Sequence, residues 1–342
     1  MKRIKKLFGG VAVLLAGVFL ILIIATSVTG ILVRNAKIPG MLGNSRENIS
    51  FVEGNTDPND FTFAVVGDPK CGTATFEALL DILRLDKPAF VILLGDFVSH
   101  YLLIEHKLFA NEIAEHAEKT PIFLVPGNHD INEEEGFGLK DFRAIYGTEQ
   151  FSFTIGKNLF ICLNDIPPYA NSGQYVNFAG QEIQKNLNKV KRIFVFMHIP
   201  IWLLDNPSIC DKNMPGSNEF LELAKKYDID YVFAGHHHAY VKAQRDNTTF
   251  IVSGGGGDRL RGIHGRFHHT VRIAVKNDSV TETVLGIEPR LETSELIERN
   301  IVVYLWPAMV QNIIPTSIIS LLAICIIAGR FHKFLVKKQN GI

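Results

Sequence analysis

The chain has 342 residues, 47% of them hydrophobic and 20% charged, which is enough apolar material for one large or two modest domains. Its 35 Lys and Arg residues match its 35 Asp and Glu residues, but the two ends hold eight of the basic residues and none of the acidic ones. The rest of the chain has 27 basic and 35 acidic residues, a net charge of −8. Because phosphate backbones are bound by basic surfaces, this acidic region argues against nucleic acid as a partner.

The first 34 residues have the composition of a membrane anchor. Four basic residues lie within positions 1–6, and positions 7–33 form an uncharged, largely apolar run. This run is long enough to cross a bilayer and longer than the apolar part of a signal peptide. We therefore predict an uncleaved transmembrane anchor over residues 1–34. A cleaved signal peptide, ending in the small residues at 26–30, is the alternative.

Residues 301–329 mirror this pattern near the other end of the chain. They carry no charge and are followed by a basic tail at 330–342. Pro307 and Pro315 interrupt the run, so we expect a kinked or interfacial lead-in before a span near 313–328. The Lys and Arg residues of both tails place both termini in the cytoplasm and everything between the spans outside it. The sequence thus predicts an integral protein of the cell membrane with an extracytoplasmic catalytic domain.

The segment between the two ends divides into a polar linker at 35–60 and a domain at 61–290. Within the domain, short apolar runs alternate with stretches of helical periodicity, which is typical of parallel βαβ units. The predicted strands lie at 61–66, 90–94, 122–125, 151–154, 159–163, 193–197, 231–234, 250–252, 270–275 and 280–285. The predicted helices lie at 74–85, 102–117, 179–187 and 218–226. The pattern indicates an α/β (α+β) fold with mixed sheets and helices outside them.

Five of the predicted strands end in side chains that can bind a metal, at the sheet edge where ligands bind in open α/β folds. Each ending has an ordinary explanation by itself, because Asp after Gly is common in turns and helix caps. Five such endings in succession favour a metal centre. The candidate ligands are two carboxylates, one amide and three imidazoles: Asp68, Asp96, Asn128, His198, His236 and His238. This mixture of oxygen and nitrogen donors suits manganese, iron or zinc rather than calcium.

These strand endings resemble the ordered motifs of the calcineurin-like metallophosphoesterase family, which includes purple acid phosphatases and class III cyclic-nucleotide phosphodiesterases. The matching stretches are Gly-Asp-Pro-Lys at 67–70, Gly-Asp-Phe at 95–97, Gly-Asn-His-Asp at 127–130, Met-His-Ile-Pro at 197–200, Gly-His-His-His at 235–238 and the glycine-rich run at 253–257. The resemblance implies a β-sandwich of two mixed sheets flanked by helices, with two divalent metal ions at one end. Asp96 would bridge both ions. The remaining ligands would be Asp68 and His238 on the first ion, and Asn128, His198 and His236 on the second.

The resemblance also implies hydrolysis of a phosphomonoester or phosphodiester, with a metal-activated hydroxide attacking phosphorus. His129 would be the catalytic residue beside the phosphate, where it can donate a proton to the leaving group. Attachment at both ends would hold the centre near the bilayer and favour a lipid-linked or cell-envelope substrate. A soluble phosphorylated small molecule stays open as the substrate. Asn164 and Asp165 end a further strand and are candidates for orienting a ligand histidine.

Two positions depart from the family pattern. The first motif usually reads Asp-x-His, Asp-x-Gly with a compensating Tyr, or Asp-x-Gln, whereas this chain has Lys70, whose ammonium has no lone pair for a metal. Lys70 is therefore either a missing ligand that weakens the first site or a contact to a substrate phosphate, and we favour the phosphate contact. In the second motif, Ser99 stands where many relatives have an Asp that orients the catalytic histidine.

The Lys70 departure supports an alternative function. A catalytically impaired family member would use the cleft only to bind a phosphorylated ligand or partner at the membrane. A membrane scaffold with an incidental metal is a third interpretation, which does not require all six ligands. Turnover of a generic phosphoester in the presence of manganese distinguishes the enzyme from both.

Overall fold

The computed structural model describes residues 2–70, 74–117, 119–201, 215–261, 265–288 and 292–339. The chain divides into two compact units. Lys37–Arg299 forms one unit, and Met1–Ala36 together with Asn300–Ile342 forms the other.

Helix α1 (Lys2–Asn35) begins the chain. Its stretch Ala16–Asn35 has a mean hydropathy of 2.5 and is long and apolar enough to span a membrane. By length and composition alone, an N-terminal signal sequence has the same properties. The expected apolar helix is therefore present, and its role as an uncleaved anchor stays a prediction.

Part of the segment predicted as a linker folds against the domain. Helix α2 (Arg46–Asn55) is capped at its N-terminus by Ser45, whose side chain accepts a backbone N–H from the first turn. Its Val52 is buried and joins the main core. Before the helix, the Asn44 side chain donates to the Leu124 carbonyl at 2.7 Å and accepts from the Leu124 N–H at 2.9 Å. Side-chain hydrogen bonds attach this segment to the domain, so its polar composition concealed a folded structure.

The described residues of the domain continue with the following α-helices and strands in chain order: β1 (Asp60–Val66), α3 (Ala74–Asp86), β2 (Phe90–Leu93), α4 (Leu103–Ala117), β3 (Ile122–Leu124), α5 (Leu139–Tyr146), β4 (Phe151–Ile155), β5 (Asn158–Cys162), α6 (Gln174–Asn186), β6 (Arg192–Phe196), α7 (Ser217–Lys226), β7 (Tyr231–Ala234), β8 (Tyr240–Arg245), β9 (Thr248–Ser253), β10 (His269–Lys276), β11 (Ser279–Gly286) and α8 (Glu292–Arg299). Helices α5 and α8 and strand β8 were not predicted. Helix α5 has only 8 residues, and most side chains of β8 are at least partly exposed, so neither has a strong periodic signal.

Two mixed sheets form the domain. The first has the strand order β11-β10-β1-β2-β3, and the second has the order β4-β5-β6-β7-β9-β8. Strands β1, β2 and β3 are parallel to one another, as are β5, β6 and β7, while the outer pairs β10–β11 and β8–β9 are antiparallel. This architecture confirms the predicted fold class. Because parallel strands of one sheet end at the same edge, the loops that follow β1, β2 and β3 lie together.

Phenylalanine rings fill the space between the two sheets. Phe63 and Phe90, from the first sheet, stack with ring centroids 5.2 Å apart. Phe160, from the second sheet, meets each of them edge-on, at 5.4 Å from Phe63 and 5.3 Å from Phe90. Edge-to-face pairs add to the roughly 1.5–3 kcal/mol that burial of each ring contributes. This aromatic layer holds the strands firmly and so fixes where their end loops lie.

The C-terminal segment is helical and sharply bent. A π-helical stretch (Asn300–Leu305) leads into α9 (Trp306–Gln311) and α10 (Ile313–Gln339). The helical segment that ends at Gln311 and the helix from Ile314 meet at 92°, so they count as at most one broken span. Within the residues that the structure describes, one helix has the length and composition of a membrane span. The number rises to two if the bent pair is counted as one span.

Candidate metal centre

The loops after β1 and β2 are joined by backbone hydrogen bonds. The Asp68 N–H donates to the Gly95 carbonyl at 3.1 Å, and the Lys70 N–H donates to the Asp96 carbonyl at 3.1 Å. Asp68 and Asp96 have φ angles of 58° and 54°, a conformation that few residues other than glycine adopt. These strained turns at neighbouring strand ends bring two fully buried carboxylates into one site.

The Asp130 carboxylate fixes the loop that carries Asp96. One of its oxygens accepts the N–H groups of Asp96 (2.8 Å) and Gly127 (2.7 Å), and the other accepts those of Phe97 (2.9 Å) and Val98 (3.2 Å). Because four N–H groups donate to one buried carboxylate, the loop is held in one conformation. No role was predicted for Asp130. Its place as the last residue of the Gly-Asn-His-Asp motif is the signal that pointed to one.

Three predicted ligands, Asn128, His198 and His236, converge with Asp96. Asn128 Oδ1 lies 3.0 Å from His198 Nε2 and 2.9 Å from His236 Nδ1, and these two ring nitrogens are 3.3 Å apart. Asp96 Oδ1 lies 3.3 Å from His198 Nε2. His198 Nδ1 donates to the Leu94 carbonyl at 2.7 Å, so Nε2 has the lone pair in the neutral ring. The donor atoms of these four side chains therefore surround one point, and their types suit manganese, iron or zinc.

Asp68, Asp96 and His238 form a second cluster. Each offers one ligand atom, and these atoms lie within 4.8 Å of one another. His238 Nδ1 donates to the Arg259 carbonyl at 2.8 Å, which turns Nε2 towards Asp68 Oδ1 at 3.3 Å. That Asp68 oxygen is buried and has no hydrogen-bond partner among the described residues. A buried carboxylate oxygen without a hydrogen bond is costly unless a cation is close, so this cluster also fits a divalent ion.

Lys70 lies against the cluster of Asp68, Asp96 and His238. Its Nζ is 3.5 Å from Asp96 Oδ2 and 3.0 Å from Asp258 Oδ2, and its side chain is buried. Burial lowers the pKa of Lys70, but the carboxylates of Asp96, Asp258 and Asp68 outweigh burial and raise it. Lys70 is therefore an ammonium that opposes a second positive charge beside it.

Asp258 was not predicted to belong to the centre. Besides its contact with Lys70, its Oδ2 lies 3.5 Å from His238 Nε2, and its Oδ1 lies 2.6 Å from Arg299 Nη1. Its N–H donates to the Asp68 carbonyl at 3.0 Å, which joins the loop after β9 to the loop after β1. The only sequence signal was its position directly after the glycine-rich run at 253–257.

His129 lies at the exposed edge of the centre. Its Nδ1 donates to the Ser99 carbonyl at 2.9 Å, so Nε2 is directed towards Asp96 Oδ2, 4.0 Å away. The side chain is 37% exposed, and its ring is parallel to that of Tyr101. Burial lowers the pKa of His129 despite the opposing effect of Asp96. A backbone carbonyl at Ser99 thus supplies the acceptor for which the resemblance led us to expect an Asp side chain.

Asp165 supports His198 through the backbone rather than the ring. Its carboxylate accepts the N–H groups of His198 (3.0 Å) and Ile199 (2.7 Å). The His198 ring itself is oriented by the Leu94 carbonyl, so Asp165 positions this predicted ligand through its backbone. Asn164 accepts the N–H of Ile166 at 3.2 Å and shapes only its own turn.

The domain that carries this centre matches a known family. Residues 61–240, more than half of the chain, fit the calcineurin-like phosphoesterases. The chain belongs to the calcineurin-like phosphoesterase family. The predicted resemblance and the predicted class of enzyme, a phosphoric ester hydrolase, are thereby confirmed. This family normally uses a dinuclear metal centre, and the two clusters above supply candidate ligands for one in this phosphoesterase.

Two curated phosphatases illustrate the relationship of this phosphoesterase to others. Human serine/threonine-protein phosphatase CPPED1 is 28% identical over 224 residues, which cover 59% of this chain and 68% of that protein. Purple acid phosphatase 23 of Arabidopsis thaliana is 28% identical over 138 residues, which cover 37% of this chain and 30% of that protein. Their similarity supports phosphoester hydrolysis without defining a substrate.

Solved structures agree on the fold. A dimetal phosphatase from Danio rerio aligns with a TM-score of 0.53 at 12% identity, covering 67% of this chain and 96% of that one. GAP50 of Plasmodium aligns with a TM-score of 0.52 at 14% identity, covering 71% of this chain and 95% of that one. At these identities the likeness concerns the fold alone.

Proposed function

We propose that the protein hydrolyses a phosphomonoester or phosphodiester at this centre, using two divalent ions bridged by Asp96. The observation that carries the proposal is the division of the Asp96 carboxylate: Oδ1 lies 3.3 Å from His198, while Oδ2 lies 3.5 Å from Lys70 in the other cluster. We assign Asp68 and His238 to the first ion. The second ion is assigned to the remaining predicted ligands, Asn128, His198 and His236.

The chemistry follows from the residues around the ions. Divalent ions bound by these residues would polarise a phosphoryl group and lower the pKa of a water nucleophile. His129, with Nδ1 fixed by the Ser99 carbonyl, presents Nε2 at the exposed edge, and its imidazolium form, protonated at both nitrogens, is assigned as the proton donor to the leaving oxygen. Burial raises the pKa of the Asp96 carboxyl. The nearby charges of His198, Lys70 and His129 outweigh burial and lower this pKa to about 2. Asp96 is therefore an ionised ligand at neutral pH.

The proposed location is outside the cytoplasm. Basic residues flank both apolar ends of the chain, and the N-terminal helix has the length of a span. We propose that α1 and the C-terminal helical segment anchor the protein in the cell membrane with both termini in the cytoplasm. A substrate that is itself lipid-linked, or part of the cell envelope, fits an enzyme attached at two ends.

Turnover by the full-length protein in detergent tests the proposed function. We expect manganese, iron or zinc to support hydrolysis of 4-nitrophenyl phosphate or of bis(4-nitrophenyl) phosphate. Asp278→Asn is the matched control for Asp96→Asn, because the Asp278 carboxylate is exposed and paired with Lys191 on the surface. Absence of hydrolysis with all three metals, in protein that folds and binds them, would contradict the enzymatic proposal.

The Lys70 contact favours a second candidate function, binding without turnover. A permanent ammonium 3.5 Å from the bridging carboxylate competes with the first ion for that charge. An impaired member would still bind inorganic phosphate at the second ion. Phosphate binding by the metal-loaded protein, measured by calorimetry without any accompanying hydrolysis of either nitrophenyl ester, would favour this candidate.

A further inference from the structure

A pocket lined by arginines lies beside the proposed centre. Its volume is about 410 Å³. Five residues line it, four of them arginines: Arg259, Leu260, Arg261, Arg266 and Arg299. We call this the arginine pocket. None of these lining residues is acidic, although the region between the chain ends carries a net negative charge.

Most of the charge in the arginine pocket is uncompensated. Arg299 is paired, because its Nη1 lies 2.6 Å from Asp258 Oδ1. In the described part of the chain, Arg259, Arg261 and Arg266 form no ion pair, and all three are exposed to solvent. Three like charges around one cavity repel one another and create a local positive potential. A bound anion removes this repulsion, so the pocket is suited to an anionic group.

The arginine pocket is joined directly to the centre. The Arg259 carbonyl accepts from His238 Nδ1 at 2.8 Å, and the Arg261 N–H donates to the His238 carbonyl at 2.9 Å. On its other side, Arg299 contacts Asp258, which in turn contacts Lys70. The pocket therefore adjoins the cluster assigned to the first ion, close enough for one molecule to reach both.

We propose that the arginine pocket binds a second phosphate of the substrate. This inference rests on the proposed function and adds to it the class of substrate: a phosphoester that carries a further phosphate, such as a diphosphate or bisphosphate. A guanidinium group can donate two parallel hydrogen bonds to two oxygens of one phosphate, because its N–H groups lie in one plane. The ammonium group of a lysine acts only as a point charge. Lipid-linked and soluble diphosphates share this chemistry.

Binding of inorganic pyrophosphate to the full-length protein in detergent tests the pocket, with EDTA present throughout. Without metal, the centre presents carboxylates that hold the Lys70 ammonium and repel phosphate, and the difference between the arginine variant and the unmodified protein reports the pocket. We expect Arg261→Gln combined with Arg266→Gln to weaken binding by about a hundredfold, about tenfold for each charge-assisted contact. Arg245→Gln, which removes an exposed arginine of β8, should leave the affinity unchanged. Equal affinity in the double variant and the unmodified protein would overturn the proposal.

Two further measurements separate the remaining questions. Farnesyl diphosphate should bind more tightly than pyrophosphate if the substrate is lipid-linked, and equally tightly if it is soluble. Hydrolysis of 4-nitrophenyl phosphate with manganese is measured independently on the same preparation. Arginine-dependent pyrophosphate binding without that hydrolysis would support the pocket and contradict the enzymatic proposal. Hydrolysis without arginine-dependent binding would support the enzyme and overturn the pocket.

Discussion

The ammonium of Lys70 lies 3.5 Å from Oδ2 of Asp96. Asp96 is the residue to which we assign both metal ions, so the Lys70 ammonium would compete with one of them for an Asp96 oxygen. The same ammonium lies 3.0 Å from Asp258. Lys70 is thus held by two carboxylates in the resting protein, and a substrate phosphate would have to compete with them for it.

Substitution of Lys70 by histidine separates its two explanations. If Lys70 is a missing ligand, Lys70→His should raise the metal content towards two ions per chain and increase the rate at low metal concentration. If it contacts the substrate phosphate, the variant should fill the site yet have a lower kcat/KM. Plasma emission spectroscopy and kinetics on one nitrophenyl ester measure both quantities. Lys191→His is the control, since Lys191 pairs only at the surface with Asp278. Two ions per chain in the unmodified protein would contradict a weak first site.

Replacing Asp96 by asparagine should be the most damaging single change in the centre. Asp96→Asn removes a charged ligand from both proposed ions, so we expect loss of turnover and of bound metal. His198→Ala should abolish turnover as well, through the second ion. Metal content and rate are compared with those of Asp278→Asn, whose side chain is 82% exposed. Normal turnover in Asp96→Asn would remove the dinuclear mechanism.

His129→Ala should reduce the rate while leaving the metals bound. Its Nε2 lies 4.0 Å from Asp96 Oδ2, and a positioned proton donor contributes about 10²–10⁴-fold to the rate. A leaving group of low pKa needs little protonation, so the loss should be smaller for 4-nitrophenyl phosphate than for phenyl phosphate. Lys191→Ala, a substitution at an exposed side chain paired with Asp278, serves as the control. A fall in metal content instead would identify His129 as a ligand.

Asp130→Ala should destabilise the domain as well as the centre. The substitution leaves four buried N–H groups of the loops after β2 and β3 without their acceptor, and we expect a loss of about 3 kcal/mol or more in the free energy of unfolding. Thermal unfolding in detergent, with metal removed, isolates this effect from metal binding. Asp278→Ala should unfold at the unmodified temperature. An unchanged unfolding temperature for Asp130→Ala would show that the loops hold their path without it.

Protease accessibility tests the proposed topology. Protease added outside intact cells, or to cells with an opened outer membrane, should degrade residues 35–300 and spare tags at both termini. The basic tails motivate this expectation. Protection of residues 35–300 would place the domain in the cytoplasm and contradict an envelope substrate. A known cytoplasmic protein, measured in the same cells, controls for lysis.

Local patterns were sufficient for the strands and for the residues at their ends. Strands β2 and β3 are continuous apolar runs and β1 is largely apolar, and the alternation with helices indicated their parallel pairing before any contact was known. Parallel strands of one sheet finish at one edge, so Asp68 and Asp96 were expected together from chain order alone. The ordered motifs then indicated the family.

The supporting residues were decided by tertiary structure. Asp258 reaches Lys70 and His238, and Arg299 reaches Asp258, across separations of tens to hundreds of residues in the chain. Asn44 attaches its segment to β3 through one side chain, although that segment is polar enough to resemble a linker. Periodicity records which face of an element is buried, because burial repeats along the strand or helix. A single carboxylate or amide that meets its partner through space leaves no repeating pattern, so only the folded chain reveals it.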